Sequence, residues 1–244
     1  MIAVHTFGHL RTVSQCIDLF KQNVLDVLGP HDLFIHTWSE TNRRTSSWYE
    51  LNAEVEPVSE STLRLVRDTL TPSAMLVEDQ VVFDDERDHE HISAMKMHES
   101  VRRSMALRLG VARPKAYDAV LVTRLDIQFR VPIDIRPFFE PLSVPPFDRS
   151  VMAITRDHTA HTKSQIIADR FGGRDCFFFG SQRTMDCFAS MGLDPSIYVK
   201  SPLQERTGEV CFDNFIYSQG LNFQPLNIVS QDDWNVVRQW TPTA

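Results

Sequence analysis

The sequence has few cysteines, and none of them falls in a CxxC pair. Cys16, Cys176, Cys187 and Cys211 are irregularly spaced, which excludes a disulfide framework or a zinc ribbon. They read as reduced, buried thiols of a cytosolic protein. No window approaches about 20 apolar residues, so no segment is expected to cross a bilayer as a helix. The opening MIAVHTFGHLRT lacks the positive and apolar regions of a signal peptide. A cytoplasmic location is expected, and peripheral contact with the inner face of a membrane stays open. There is no block of one charge sign, and the formal net charge is −7. That argues against a nucleic-acid partner, which needs a basic face, but leaves room for a local basic pocket for phosphate.

Several catalytic signatures are also missing. GxGxxG and GxxxxGK[ST] are absent, which removes the dinucleotide fingerprint and the P-loop. There is no GxSxG elbow; FFGSQ has the wrong frame. The first apolar run ends without an aspartate, against an aspartyl-phosphate phosphatase. No internal repeat or linker divides the chain.

What is present alternates between two periods. Ile2–Phe7, His31–Trp38 and Ala119–Val122 are apolar runs of strand length. Between the first two, Val13, Ile17, Phe20, Val24, Leu25 and Leu28 have helical spacing, with Thr12 placed to cap the start and Gly29-Pro30 to end it. The spacing further predicts helices over 61–70 and 92–110 and a strand over 73–79. DDERDHEH, residues 84–91, reads as a solvated loop. After a proline-rich stretch at 131–148 come strands at 150–155, 175–181 and 222–229, a loop over 156–173, and short helices at 182–192 and 208–220. The expectation is one α/β domain over residues 1–244 with a mostly parallel, Rossmann-like sheet flanked by helices. Residues 1–129 form its nucleotide-type half and 130–244 the half that shapes the second substrate's site.

In such sheets ligands bind beyond the carboxyl ends of the strands. Three apolar runs end in polar groups: His5, Thr6, Phe7, Gly8 and Arg11 after the first; His36, Thr37 and Trp38 at the second; Thr123, Arg124 and Asp126 at the third. Parallel strands would gather them on one edge. Gly8 lets backbone approach a ligand, Arg11 suits phosphate, Trp38 offers a face to a base, and Asp126 offers oxygen to a divalent cation. Together these suit a nucleotide diphosphate. Structural alternatives stand beside them. Arg124 could pair with Asp118 or Asp134, Arg11 could cap a helix or pair with a surface acid, and His5, His36 and Trp38 could pack at the core edge. Asp213 could lie on the wet face of a helix, and the run Phe177–Phe179 reads as core first.

The segments FGHLRT, HDLFIHTW, YDAVLVTRLDIQF and DCFFFGS resemble bacterial lipopolysaccharide- and capsule-type glycosyltransferases of GT-A fold, similar to the WavE family. The matching positions are Gly8, Arg11, Asp32, Phe34, His36, Trp38, Tyr117, Asp118, Arg124, Asp126, Phe179, Gly180 and Ser181. The resemblance implies sugar transfer from a nucleotide-sugar donor to a glycan or lipid-linked acceptor, usually with Mn²⁺ or Mg²⁺. One departure stands out: the usual D-x-D is Arg124-Leu125-Asp126 here. Thr6, Phe7, Gly8, Arg11, His36, Trp38 and Arg124 are the expected donor-site residues, with Asp126 for the metal. Asp175 and Glu209 lead as candidate bases, ahead of Asp213 and Asp157. The alternative is a non-catalytic nucleotide-sugar or glycan-binding module on the same fold. A weaker one is a metal-dependent hydrolase built on His89 and His91.

Overall fold

The computed structural model describes residues 1–41, 55–81, 89–110, 115–145, 147–154, 176–193, 208–226 and 233–236. Strand β1 (Ile2–Phe7) is buried along its whole length, as a central parallel strand must be. Helix α1 (Val13–Phe20) follows, burying Val13, Cys16, Ile17 and Phe20 along one stripe. It continues through a π-helical turn at Lys21–Leu25 into α2 (Asp26–Leu28). The wider turn buries Asn23, whose Nδ2 donates to the Phe129 carbonyl at 2.7 Å. Thr12 stands at the start of α1, but its side chain makes no capping bond.

Strand β2 (His31–Trp38), α3 (Glu60–Leu70) and β3 (Ala74–Glu78) follow. Next come the long helix α4 (His89–Leu109) and β4 (Ala119–Arg124). His89 and His91 therefore lie in the first turn of α4, not in a solvated loop. Strand β5 (Ile127–Phe129) is short, and the proline-rich stretch contains a single-turn helix, α5 (Phe139–Leu142). Strand β6 (Ser150–Ile154), β7 (Phe177–Gly180), α6 (Gln182–Met185), α7 (Gly208–Ser218), β8 (Asn222–Leu226) and β9 (Trp234–Val236) complete the described strands and α-helices. No described helix is long and apolar enough to cross a membrane.

Seven strands form one mixed sheet in the order β3-β2-β1-β4-β7-β6-β8. Only β7 runs against the others. The sheet passes through both halves of the sequence, joined where β4 pairs with β7. A second, two-stranded sheet pairs β5 with β9; strands this short carry no period that a sequence pattern reveals.

Alternation along the strands feeds two cores, one on each face. Ile2, Val4, Leu33, Ile35 and Leu121 pack with Ile17 and Phe20 of α1 and Val66 and Leu70 of α3. Ala3, Phe34, Val120 and Val122 pack with Val101 and Met105 of α4 and Phe212 and Phe215 of α7. The result is a three-layer α/β/α arrangement. The aromatic run of β7 is split by the same alternation, Phe177 and Phe179 to the first core and Phe178 to the second.

The Phe-Gly-Ser end of β7 has a packing role. A Cβ on Gly180 would lie 3.0 Å from the Ser150 carbonyl oxygen and 3.2 Å from Met185 Sδ. Ser181 caps α6, its Oγ accepting from the Thr184 amide at 3.2 Å. Gly180→Ala should therefore destabilise the fold by about 1–3 kcal/mol through overpacking. A urea titration checks this; an unchanged midpoint would refute it.

Candidate functional site

The register puts the expected strand ends on one edge. Thr6 lies opposite Ile35 on one side and Thr123 on the other; Phe7 is opposite Arg124, and Trp38 opposite Glu78. From β1 the chain moves outward through β2 and β3, then returns to the other side of β1 as β4. The strand order thus reverses between β1 and β4, which is where an open α/β sheet forms its ligand crevice. Gly8 and Arg11 follow β1 at that point, and Arg124 and Asp126 close β4.

Arg11, Arg124 and Asp126 meet there. Arg124 grips Asp126 with a two-pronged fork: Nε donates to Oδ1 at 2.8 Å and Nη2 to Oδ2. Arg11 Nη2 donates to the same Oδ2 at 3.3 Å, across 115 positions of sequence. The side chains of Arg11, Asp126 and Arg124 are 4%, 3% and 14% exposed, so Arg124 is the member nearest solvent. Arg124 thus has an ion-pair partner, but not one of those the sequence offered. Asp118 pairs with the Met1 amine and Asp134 with Arg136. Behind the cluster, burial and then the Asp126 carboxylate push the Cys16 thiol up to about 12, so it stays protonated. The Thr6 hydroxyl is buried on the α1 side with no hydrogen-bond partner among the described residues.

On the α4 face of the same edge lies a second polar chain. The Gly8 amide donates to Ser100 Oγ at 2.9 Å, and Ser100 Oγ lies 2.7 Å from His36 Nδ1. His36 Nε2 lies 3.2 Å from Glu78 Oε2, and Glu78 also accepts from Arg103. A carboxylate only accepts, so Nε2 carries the imidazole proton and Nδ1 accepts from the Ser100 hydroxyl. Burial pushes His36 down to about 4 against the pull of Glu78. The Arg103 guanidinium sits 5.7 Å over the Trp38 ring, and the His36 and Trp38 rings meet edge-on at 4.7 Å.

The order serine, histidine, carboxylate is that of a nucleophile triad, but the geometry gives it another use. Ser100 is fully buried in α4 and its oxygen is engaged by the Gly8 amide. It tethers the turn after β1 to the helix. Gly8 adopts φ +98°, and a Cβ there would meet nothing within 4 Å. Its glycine is therefore required by backbone conformation, not by close approach of other groups.

The sequence expectations fare unevenly at this edge. Arg11, Arg124 and Asp126 converge at the switch point, with Gly8 beside them. His36 and Trp38 are each 1% exposed and face α4, in line with the core-edge packing offered beside the nucleotide reading. Phe7 is likewise buried, in the α4-side core. His5 is a core residue: its Nε2 accepts from Arg108 at 3.1 Å, and its Nδ1 donates to the Ser104 carbonyl at 2.9 Å. Asp32 and Tyr117 lie at the opposite end of the strands, where the Tyr117 hydroxyl donates to Asp32 at 2.7 Å. Asp213 is 2% exposed, not on a wet face. Asp157, Asp175 and the side chain of Glu209 lie outside the described residues.

Other participants carried a fainter signal. Ser100 and Ser104 are four apart on α4, small hydroxyls on the face that buries Val101 and Met105. Ser104 meets His5 and Ser100 meets His36 on the strands opposite. His9, Gln80 and Lys96 had no recognisable signal. Gln80 Nε2 donates to His9 Nε2 at 3.0 Å, His9 Nδ1 to the Glu40 carbonyl at 3.0 Å, and Lys96 to Gln80 at 3.3 Å, tying the loops after three strands to α4.

The divalent cation expected at Asp126 does not fit this donor set. Both carboxylate oxygens are held by guanidinium groups, and among the described residues no three His, Cys, Asp or Glu gather to hold a metal ion. Comparison with protein-family models finds no match, and comparison with curated proteins finds none either.

Proposed function

We propose that this chain is a glycosyltransferase that moves a sugar from a nucleotide-diphosphate sugar to a glycan or lipid-linked acceptor. The observation that carries this reading is the meeting of Arg11 and Arg124 at the switch point between β1 and β4. Fold alone does not fix activity, so the reading rests on that charge at that place.

Transfer breaks the bond from the anomeric carbon to the diphosphate oxygen and leaves negative charge on the diphosphate. Arg11 and Arg124 neutralise that charge as it develops. The acceptor hydroxyl forms the new bond and gives up its proton to a carboxylate. Asp175 and Glu209 are proposed for that role on the acceptor side. A lipid-linked acceptor would bring the protein to the inner face of the membrane.

Incubation with a panel of nucleotide sugars and glycan acceptors tests the reading directly. Steady release of nucleoside diphosphate is expected with one donor. Binding of a nucleotide sugar without turnover under every acceptor condition would replace it with the binding-module reading. The complete engagement of Asp126 by arginine is the observation that favours that second reading.

A further inference from the structure

We infer that Asp126 is an internal anion that occupies the Arg11–Arg124 pair until a phosphate-bearing ligand displaces it. This rests on reading the edge between β1 and β4 as a diphosphate site. The guanidinium fork that matches a carboxylate matches a phosphate equally well. Here Arg124 places two donors on Asp126, and Arg11 adds a third. Two cations face one anion here. Arg124 donates to both oxygens, and the 3.3 Å bond from Arg11 goes to an oxygen already taken. A diphosphate carries more charge and more oxygens, and so can meet both arginines at full strength.

The chain is arranged for such an exchange. Arg124 ends a strand locked between β1 and β7, so its backbone is fixed. Asp126 lies instead in the two-residue turn between β4 and β5, where a side-chain rotation frees the carboxylate without breaking a ladder. Leu125, 2% exposed, anchors the turn in the α1-side core. Arg124, the most exposed of the three, marks the side from which a ligand enters. The same contact explains why an arginine can stand two residues before the aspartate: the pair is a lock made of one fork and one stand-in anion.

Calorimetric titration with inorganic pyrophosphate, without divalent cation and at low ionic strength, tests this on the full chain. Asp126→Asn should bind pyrophosphate at least tenfold more tightly than wild type, because the competitor is gone. Arg124→Gln should lose binding by a similar factor. Equal or weaker binding by Asp126→Asn overturns the proposal. So does a gain that appears only with Mn²⁺, the behaviour of a metal site. A measurement on wild type covers the case in which Asp126→Asn does not fold. With pyrophosphate, amide exchange should quicken at Leu125 and Asp126 and slow at residues 8–11; slowing at both, or no change, overturns the proposal. The two readings fail separately. A tighter Asp126→Asn with no sugar turnover by wild type keeps the lock and removes sugar transfer. Turnover by wild type with unchanged pyrophosphate affinity in Asp126→Asn does the reverse.

Discussion

Replacing Arg124 with alanine is expected to lower release of nucleoside diphosphate from a nucleotide sugar by at least about 100-fold, the usual effect of removing one preorganised donor to developing charge. It should also lower unfolding free energy by about 3–5 kcal/mol, because it strips the fork from a buried carboxylate. Asp126, 3% exposed, would lose both fork bonds and keep the 3.3 Å contact with Arg11. Arg11→Ala leaves the Arg124 fork on Asp126 in place and should do less to stability. Arg124→Lys separates the two effects: it retains charge but cannot grip both oxygens. Chemical denaturation and a steady-state assay on the three variants check the ranking. Arg124→Ala with wild-type turnover would remove this residue from the reaction.

The second large effect is on stability in mild acid. His5 and His36 are buried without charge, and burial is the leading cause in each case. From an ordinary 6.5, His5 is pushed down to about 3, with the Arg108 charge adding to the effect, and His36 to about 4. The unfolded chain takes up both protons near pH 6.5, whereas the folded chain does not. Their contribution is full above pH 6.5, falls as the pH drops, and is exhausted near 4 for His36 and 3 for His5. Each histidine gives a slope of up to about 1.4 kcal/mol per pH unit. The paired carboxylates Asp32, Glu99 and Asp134 have ordinary values of 3.8, 4.5 and 3.8 lowered by folding, so they act mainly below this window. Between pH 6.5 and 4.5 the loss of several kcal/mol belongs chiefly to the two histidines, a large part of a typical domain's stability. Urea titrations at pH 7.5, 5.5 and 4.5 measure it, and His5→Gln or His36→Gln should each flatten the slope. Stability that stays level across that window would show that the imidazoles are not buried as neutral groups.

The strands that build the site edge were legible because parallel central strands are written as unbroken apolar runs. Ile2–Phe7, His31–Trp38 and the run through Ala119–Val122 needed nothing beyond local pattern. Their polar ends marked the edge. Partners were not legible. The sequence offered Asp118 and Asp134 to Arg124, and the turn after β4 presents Asp126 instead. The charge of Arg124 was visible; its exposure and its fork were not. His36 and Trp38 left two readings open. At a strand end they look like ligand residues, yet α4 covers that face and supplies Ser100 and Arg103 to satisfy them. Short β5 and β9 escaped notice because three residues set no period, and they pair only because the chain returns from its far end.

Local periodicity and the residues that interrupt it settled the α/β class, the β1–α1–β2 unit, and the clustering of polar groups at strand ends, because burial of apolar faces depends on neighbours a few positions apart. The tertiary structure alone decided that Arg11 reaches Asp126 across 115 positions, that His36 and Trp38 turn inward, and that β7 runs against its neighbours. These depend on which surfaces meet after the chain has folded back on itself, and the energy of a charge or an imidazole there is set by what meets it.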